Sequence, residues 1–415
     1  MNYLKKSTYK TFFTFLVDFL ILLFFIVIGF VFIQAETFNS NKSNFKKNSN
    51  TTHYTEPNYI KSNPFDTLNY SIEYMLLNQK LEEYNAILKN KKYNPNLNIT
   101  NEFKFGDSSD ILVNVKNQLY LLGDIKETSQ SLLFDSSIFY GVKNFQIRYG
   151  LKPSGILTKQ TFLQLNKPIE ELIQTIQLNL TRRKLELPKN REDYVVVSLP
   201  EFKLHTYFNS EETSSYKVII GKTTKKTQTK IFNDTIEYLV FCPYWNIPKG
   251  IIIKEILPEI KKNNNFLHKN DMEVTTQQGE IIPSTRINWS IYTKNFPYAI
   301  RQRPGKKNAL GKVKFLFPNP YSIYIHDTPE KKLFSKEIRT YSHGCIRLET
   351  PLKLAFYLLR KDKHYTPKKI NQIINAGKQT YIKLKNKVPI YITYYTAWVD
   401  SSGKLNFRDD IYDRD

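Results

Sequence analysis

Two of the six histidines and one of the two cysteines in this 415-residue chain fall within residues 321–348. A thiol is a good nucleophile only as the thiolate, and a neighbouring imidazole is the usual means of making one. His326 follows the alternating run 321–325, which predicts a strand. Cys345 closes the tetrapeptide Ser342-His343-Gly344-Cys345. Gly344 permits a sharp turn there, so that backbone amides can point at a developing oxyanion. The intervening loop can fold back and bring imidazole and thiol together. The bland alternative is that both residues are packing. A zinc site is another, but two histidines and one thiol without a nearby C-x-x-C make a thin ligand set.

These residues need a scaffold, and the pattern from Tyr194 onward supplies one. Residues 195–197, 216–220 and 236–241 are β-rich runs separated by turn residues. Residues 249–309 interrupt them with Lys, Asn and Pro and a helical segment at 251–260, and predict an excursion over the site. Its polar tracts, such as Lys261-Lys262-Asn263-Asn264-Asn265, predict mobility. Trp245, Trp289 and Tyr298 are candidates to line a substrate groove. After Cys345, Thr350-Pro351 and Thr366-Pro367 each predict a helix start, and Gly377 a helix end. Strand runs at 381–384 and 388–399 follow.

Upstream the pattern is helical. Residues 65–89 predict a helix with Leu68, Ile72, Met75, Leu76 and Leu81 as its apolar positions. Ile138, Val142, Phe145 and Tyr149 recur at helical spacing before Gly150, and Thr158 is a candidate N-cap. Residues 167–185 predict a further helix, packing back on 65–89 and leaving 102–166 as an insertion. Residues 36–58 are rich in Asn, Ser, Thr and Lys and predict a flexible tether. Residues 12–33 are apolar, broken by Asp18 and preceded by Lys5, Lys6 and Lys10. That run is long enough to span a bilayer with its N-terminus in the cytoplasm. A signal peptide cut at Ala35 is the competing reading. Either way the remainder is expected outside the cytoplasmic membrane.

The net charge of +23 favours an anionic environment. The lysines are spread along the chain and no nucleic-acid motif accompanies them, so nucleic acid is excluded as a partner. Two cysteines make no disulfide framework, and Cys242 reads as a small packed hydrophobe.

The His326 stretch resembles the signature of the L,D-transpeptidases of the YkuD type. That signature is a His, about fifteen residues, then Ser/Thr-His-Gly-Cys; here fifteen residues separate His326 from Ser342. Arg347 stands where the pattern often has Asn, as in the large subgroup with a peptidoglycan-binding domain. Tyr244-Trp245-Asn246-Ile247-Pro248, Asn308-Ala309-Leu310-Gly311 and Phe407-Arg408-Asp409-Asp410-Ile411-Tyr412 also fit. Phe145-Gln146, Gly150-Leu151 and Thr158 resemble the small three-helix peptidoglycan-binding domain, with Ser154 where Asp is usual.

The resemblance implies an α+β protein with a mainly β catalytic domain. Its expected divisions are an anchor or signal segment (1–35), a linker (36–58), helical scaffold (59–101), a peptidoglycan-binding-like domain (102–166), more scaffold (167–192) and the catalytic domain (193–415) with a cap at 249–309. It implies the tetrapeptide stem of peptidoglycan as substrate, with no cofactor or metal. Cys345 is then the nucleophile and His326 the base, its other ring nitrogen held by the Asp327 carbonyl. Gly344, Cys345 and His343 supply the oxyanion hole. Ser342, Asp327, Arg347 and Trp245 are the remaining candidates around the substrate. The expected reaction is a 3-3 cross-link made by a membrane-anchored enzyme acting in the periplasm. A carbapenem is expected to acylate the same thiol. Hydrolysis of the same thioester (carboxypeptidase or endopeptidase) and a non-catalytic wall-binding anchor are the rival readings.

Overall fold

Branched and aromatic residues are concentrated in runs at 194–197, 216–220 and 236–241, and such runs pair as strands because their side chains pack on a pleated surface. A computed structural model describes residues 72–90, 92–97, 101–185 and 192–415. The expected anchor and tether lie outside them. Among the described residues no helix is long and apolar enough to cross a membrane.

The strands that form the main sheet are β1 (Asp193–Ser198), β2 (Lys203–Phe208), β3 (Glu211–Gly221), β4 (Phe232–Phe241), β9 (Val313–Leu316), β10 (Ile325–His326), β11 (Thr340–Ser342), β12 (Ile346–Leu348) and β13 (Thr380–Thr393). Their order is β11-β3-β12-β10-β9-β4-β13-β1-β2, and β2 also pairs with β3. The sheet therefore closes on itself as a barrel through β2 and β3, with β11 left as an edge strand on β3. Its interior holds Val195, Val197, Leu204, Ile220, Leu239, Phe315, Ile325, Ile346 and Ile390. Two helices, α6 (Pro351–Leu359) and α7 (Pro367–Ala376), add Leu354, Ala355 and Ile370 to this core. The Thr366 side chain caps α7 at 3.3 Å from Lys369 N, and Gly377 ends it at φ +65°.

The run expected as a strand at 321–325 is extended only at Ile325–His326. Ser322 takes a left-handed φ of +55°, and the Asn319 side chain binds the Ile323 backbone on both sides, at 2.8 and 3.0 Å. That local bonding competes with the sheet.

The excursion is a folded module. Four strands, β5 (Trp245–Asn246), β6 (Met272–Thr275), β7 (Ile281–Ile282) and β8 (Ala299–Gln302), form their own sheet in the order β5-β8-β6-β7. Ile247, Ile256, Leu257, Ile260, Val274, Phe296 and Ile300 fill a separate core beside it. The Lys and Asn tracts that suggested mobility are its outer surface.

Upstream lie α1 (Ile72–Asn90), α2 (Ile111–Leu121), α3 (Ser136–Arg148), α4 (Lys159–Leu165) and α5 (Ile169–Leu185). Helices α1 and α5 pack together, with α2 to α4 inserted between them in sequence. The buried face of α1 is Leu77 and Tyr84, with Leu81 and Leu88 alongside, while Ile72 and Met75 face outward. The apolar stripe is thus rotated from the expected one. The Gln146 side chain binds Ile156 O, Thr161 Oγ1 and Gly155 N at 2.8–3.0 Å. The residues that carried the resemblance there build the fold of the insertion.

The chain's end ties the helices to the barrel. Strands β14 (Ala397–Val399) and β15 (Leu405–Phe407) form a hairpin whose apolar side joins the helical core. Arg148 donates to Leu405 O at 2.5 Å and to Asp124 Oδ1 at 2.8 Å, and both side chains of that ion pair are buried. Removing one partner strands a charge in the interior. Asp124→Ala is expected to lower the unfolding free energy by about 3 kcal/mol or more. Urea unfolding checks this; a loss under about 1 kcal/mol would show that water reaches Arg148.

Candidate active site

Strands β10 and β12 run parallel, with Ile325 opposite Ile346 and His326 opposite Arg347. Side chains alternate along a strand. Ile325, Ile346 and Leu348 therefore enter the barrel core, and His326, Arg347 and Cys345 share the other face. Strand β9 sets Lys314 opposite His326 on that face as well. Tyr324, two residues before His326, completes it; its ring lies 5.6 Å from the imidazole and 5.7 Å from Lys314 Nζ. Sequence reasoning missed both Lys314 and Tyr324, because only the register reveals them.

His326 is buried, and its Nδ1 lies 2.5 Å from Asp327 O. A carbonyl only accepts, so Nδ1 carries the proton and Nε2 presents a lone pair. Burial, reinforced by the Arg347 guanidinium, pulls the imidazole down to about 3. Cys345 is half-buried, and its S–H donates to Ser322 O at 3.7 Å. Crowding around the sulfur outweighs the Tyr324 hydrogen bonds and the Arg347 and Lys314 charges, and pushes the thiol up to about 11. At neutral pH the resting pair is thus a thiol and a neutral imidazole.

The turn before Cys345 is held from within. Ser342 Oγ donates to Cys345 O at 2.5 Å and accepts from Gly344 N at 3.1 Å. Gly344 has φ +121°, a conformation side chains rarely adopt. Ser342 is buried, and its hydroxyl is bonded within this turn. The Gly344 N–H, expected in the oxyanion hole, is engaged by the same hydroxyl.

Asp327 is likewise turned inward. Its carboxylate accepts from Lys312 N, Thr328 N and Lys331 Nζ at 2.7–2.8 Å. A Cβ on Gly311 would lie 2.3 Å from that carboxylate, so the motif ending in Gly311 serves this contact. In the same motif, buried Asn308 donates to Pro243 O and Arg303 O at 3.0 and 2.9 Å, fastening the two stems of the excursion. Trp245 packs on the excursion's own core, as do Trp289, stacked on Phe296 at 5.7 Å, and Tyr298. The geometry gives these partly buried rings structural work in the excursion. Arg347 is paired with Glu330 at 2.5 Å; Glu330 is mostly exposed, so that pair can open.

His343 reaches the excursion, its Nε2 2.7 Å from Glu255 Oε1. Glu255 sits in a π-helical turn, Ile252–Ile256, a distortion common at functional sites. Among the described residues no group of three or more His, Cys, Asp or Glu could hold a metal.

The profile of the L,D-transpeptidase catalytic domain (YkuD) matches residues 192–371. A Haemophilus influenzae protein named by inference as an L,D-transpeptidase is 30% identical over 241 residues, 58% of this chain and 48% of that protein. The chain thus spans about half the length of that relative. Solved L,D-transpeptidases from Xylanimonas cellulosilytica and Stackebrandtia nassauensis are 11% and 12% identical, with TM-scores of 0.23 and 0.26. They cover 71% and 70% of this chain and 99% and 94% of their own. Likenesses that slight carry no weight for the fold or the site. The profile match and the His326/Cys345 motif together make residues 192–371 a catalytic domain of the YkuD L,D-transpeptidase family.

Proposed function

We propose that the chain is a cysteine-dependent L,D-transpeptidase that cross-links peptidoglycan. The observation that supports it most is the shared face of β10 and β12, which offers a thiol and a correctly protonated imidazole to one substrate. Cys345 Sγ attacks the carbonyl between the third residue of a tetrapeptide stem and its terminal D-alanine. The thiol proton passes to His326 Nε2 as the S–C bond forms. Collapse breaks the C–N bond, and D-alanine leaves with that proton. The side-chain amine of a second stem then attacks the thioester carbonyl and His326 takes its proton; the C–S bond breaks, the new amide is released, and the proton returns to Cys345 Sγ. With Gly344 N–H engaged, the Cys345 N–H is the principal oxyanion donor. Arg347, freed from Glu330, takes a stem carboxylate.

The excursion acts as a cap that decides between amine and water. Because it has its own sheet and core, it closes as a body on the stems around Asn308, latched by Glu255 on His343. A closed cap excludes water from the thioester. The stem substrate lies outside the cytoplasmic membrane, consistent with 12–33 as an anchor; residues 102–166 are a wall-binding unit in this reading.

Incubation with disaccharide-tetrapeptide, followed by mass spectrometry, is expected to give D-alanine and a cross-linked dimer. Cys345→Ser should abolish both while leaving the fold intact, since a hydroxyl is far less acidic than a thiol. Cys242→Ser should keep most of the activity. Wild-type turnover by Cys345→Ser would rule out covalent thiol catalysis.

The resting protonation state makes a second prediction. With the thiol near 11, the thiolate fraction at pH 7 is on the order of one part in ten thousand. In the Cys242→Ser background, iodoacetamide alkylation should therefore climb through pH 9 without levelling. A plateau near pH 7 would reveal a preformed thiolate–imidazolium pair.

The latch makes a third. A partly exposed polar contact contributes about 1 kcal/mol, so Glu255→Gln should raise the hydrolysed share of product by up to about five-fold. An unchanged product ratio would mean the latch has no part in excluding water.

A further inference from the structure

The closing motif at residues 407–412 lies far along the chain from the thiol, yet its Tyr412 reaches the catalytic turn through buried hydrogen bonds. The Tyr412 hydroxyl donates to Gly221 O at 2.7 Å and accepts from Thr229 N at 3.3 Å. The Thr229 hydroxyl accepts from Gly221 N and donates to Gly344 O, both at 2.9 Å. Thr229 is fully buried and Tyr412 nearly so. A Cβ on Gly221 would lie 1.9 Å from Thr227 O, so the strap carrying Thr229 lies tight against the end of β3. Tyr412 is itself fixed: its N–H donates to Tyr394 Oη at 2.8 Å, and the two rings stack at 5.8 Å.

The carbonyl that Thr229 holds belongs to the Gly344–Cys345 peptide. A trans peptide is planar, with C=O and N–H pointing in opposite directions. Fixing Gly344 O therefore fixes the aim of the Cys345 N–H. Ser342 Oγ fixes the next carbonyl, Cys345 O. We infer that Thr229 and Tyr412 are positioning residues which aim the Cys345 N–H at the oxyanion, so that the chain's last residues set the rate of acyl transfer. This rests on the proposed acyl transfer at Cys345.

Two reactions of the same thiol separate aiming from mere folding. Carbapenem acylation builds a tetrahedral oxyanion and needs the donor. Iodoacetamide alkylation displaces iodide at a CH2 and needs only the thiol. Both rates are measured on the full chain by intact-protein mass spectrometry. Thr229→Val is expected to slow acylation about ten-fold or more, since losing an oxyanion donor outright costs about a hundred-fold or more. Alkylation should stay within about two-fold, and Thr229→Ser should restore acylation. Tyr412→Phe, which changes almost no volume, should slow acylation about three-fold with the same split. Unchanged acylation in both variants, or acylation and alkylation falling in parallel, overturns the inference. A wild-type enzyme that alkylates but never acylates overturns the acyl-transfer reading itself, and this inference with it.

Discussion

The site depends on two residues' worth of parallel pairing. Where β10 meets β12, Ile325 and Ile346 are drawn into the barrel core, and that burial decides which way their neighbours point. His326, Cys345 and Arg347 emerge on the opposite face because the side-chain period of a strand is two. A slip of one residue would put the imidazole inside the barrel and an isoleucine beside the thiol. The apolar contacts of a very short ladder thus carry the register on which the chemistry rests.

The same burial that fixes the register sets the charge state. His326 has lost water on all sides and has two cations on its face, so it stays neutral and keeps Nε2 as a base. The thiol is equally reluctant to ionise. In the proposed reaction neither group is charged until a carbonyl arrives and proton transfer is coupled to bond formation. The rigid parts serve that moment: Asp327 O holds the ring, Ser342 holds the turn, and the strap at Thr229 holds the peptide carrying the Cys345 N–H. The cap touches this assembly through Glu255 and His343.

Much of this was legible in the sequence. The β runs around 195, 218 and 238, the caps at Thr158 and Thr366 and the stop at Gly377 all follow from local pattern, and the structure has them. What pattern could not supply was partnership. Ser342 and Asp327 look like substrate contacts because they are polar and beside the motif; tertiary bonds spend them on backbone. Lys314 and Tyr324 are unremarkable until register sets them on the site's face. The cap's strands are two to four residues long, and its core residues are spaced among lysines and asparagines, so no periodicity marks them. The strand expected at 321–325 failed because one Asn side chain captured its backbone.

The proposed chemistry passes through a thioester on Cys345, and the mass of that intermediate tests it. The full chain is mixed briefly with a tetrapeptide stem lacking the side-chain amine, so that no acceptor is present, then quenched in acid and digested. A mass gain equal to the stem less D-alanine is expected, carried by the peptide that contains Cys345. Release of D-alanine with no such adduct, or an adduct mapped to any other residue, would contradict it.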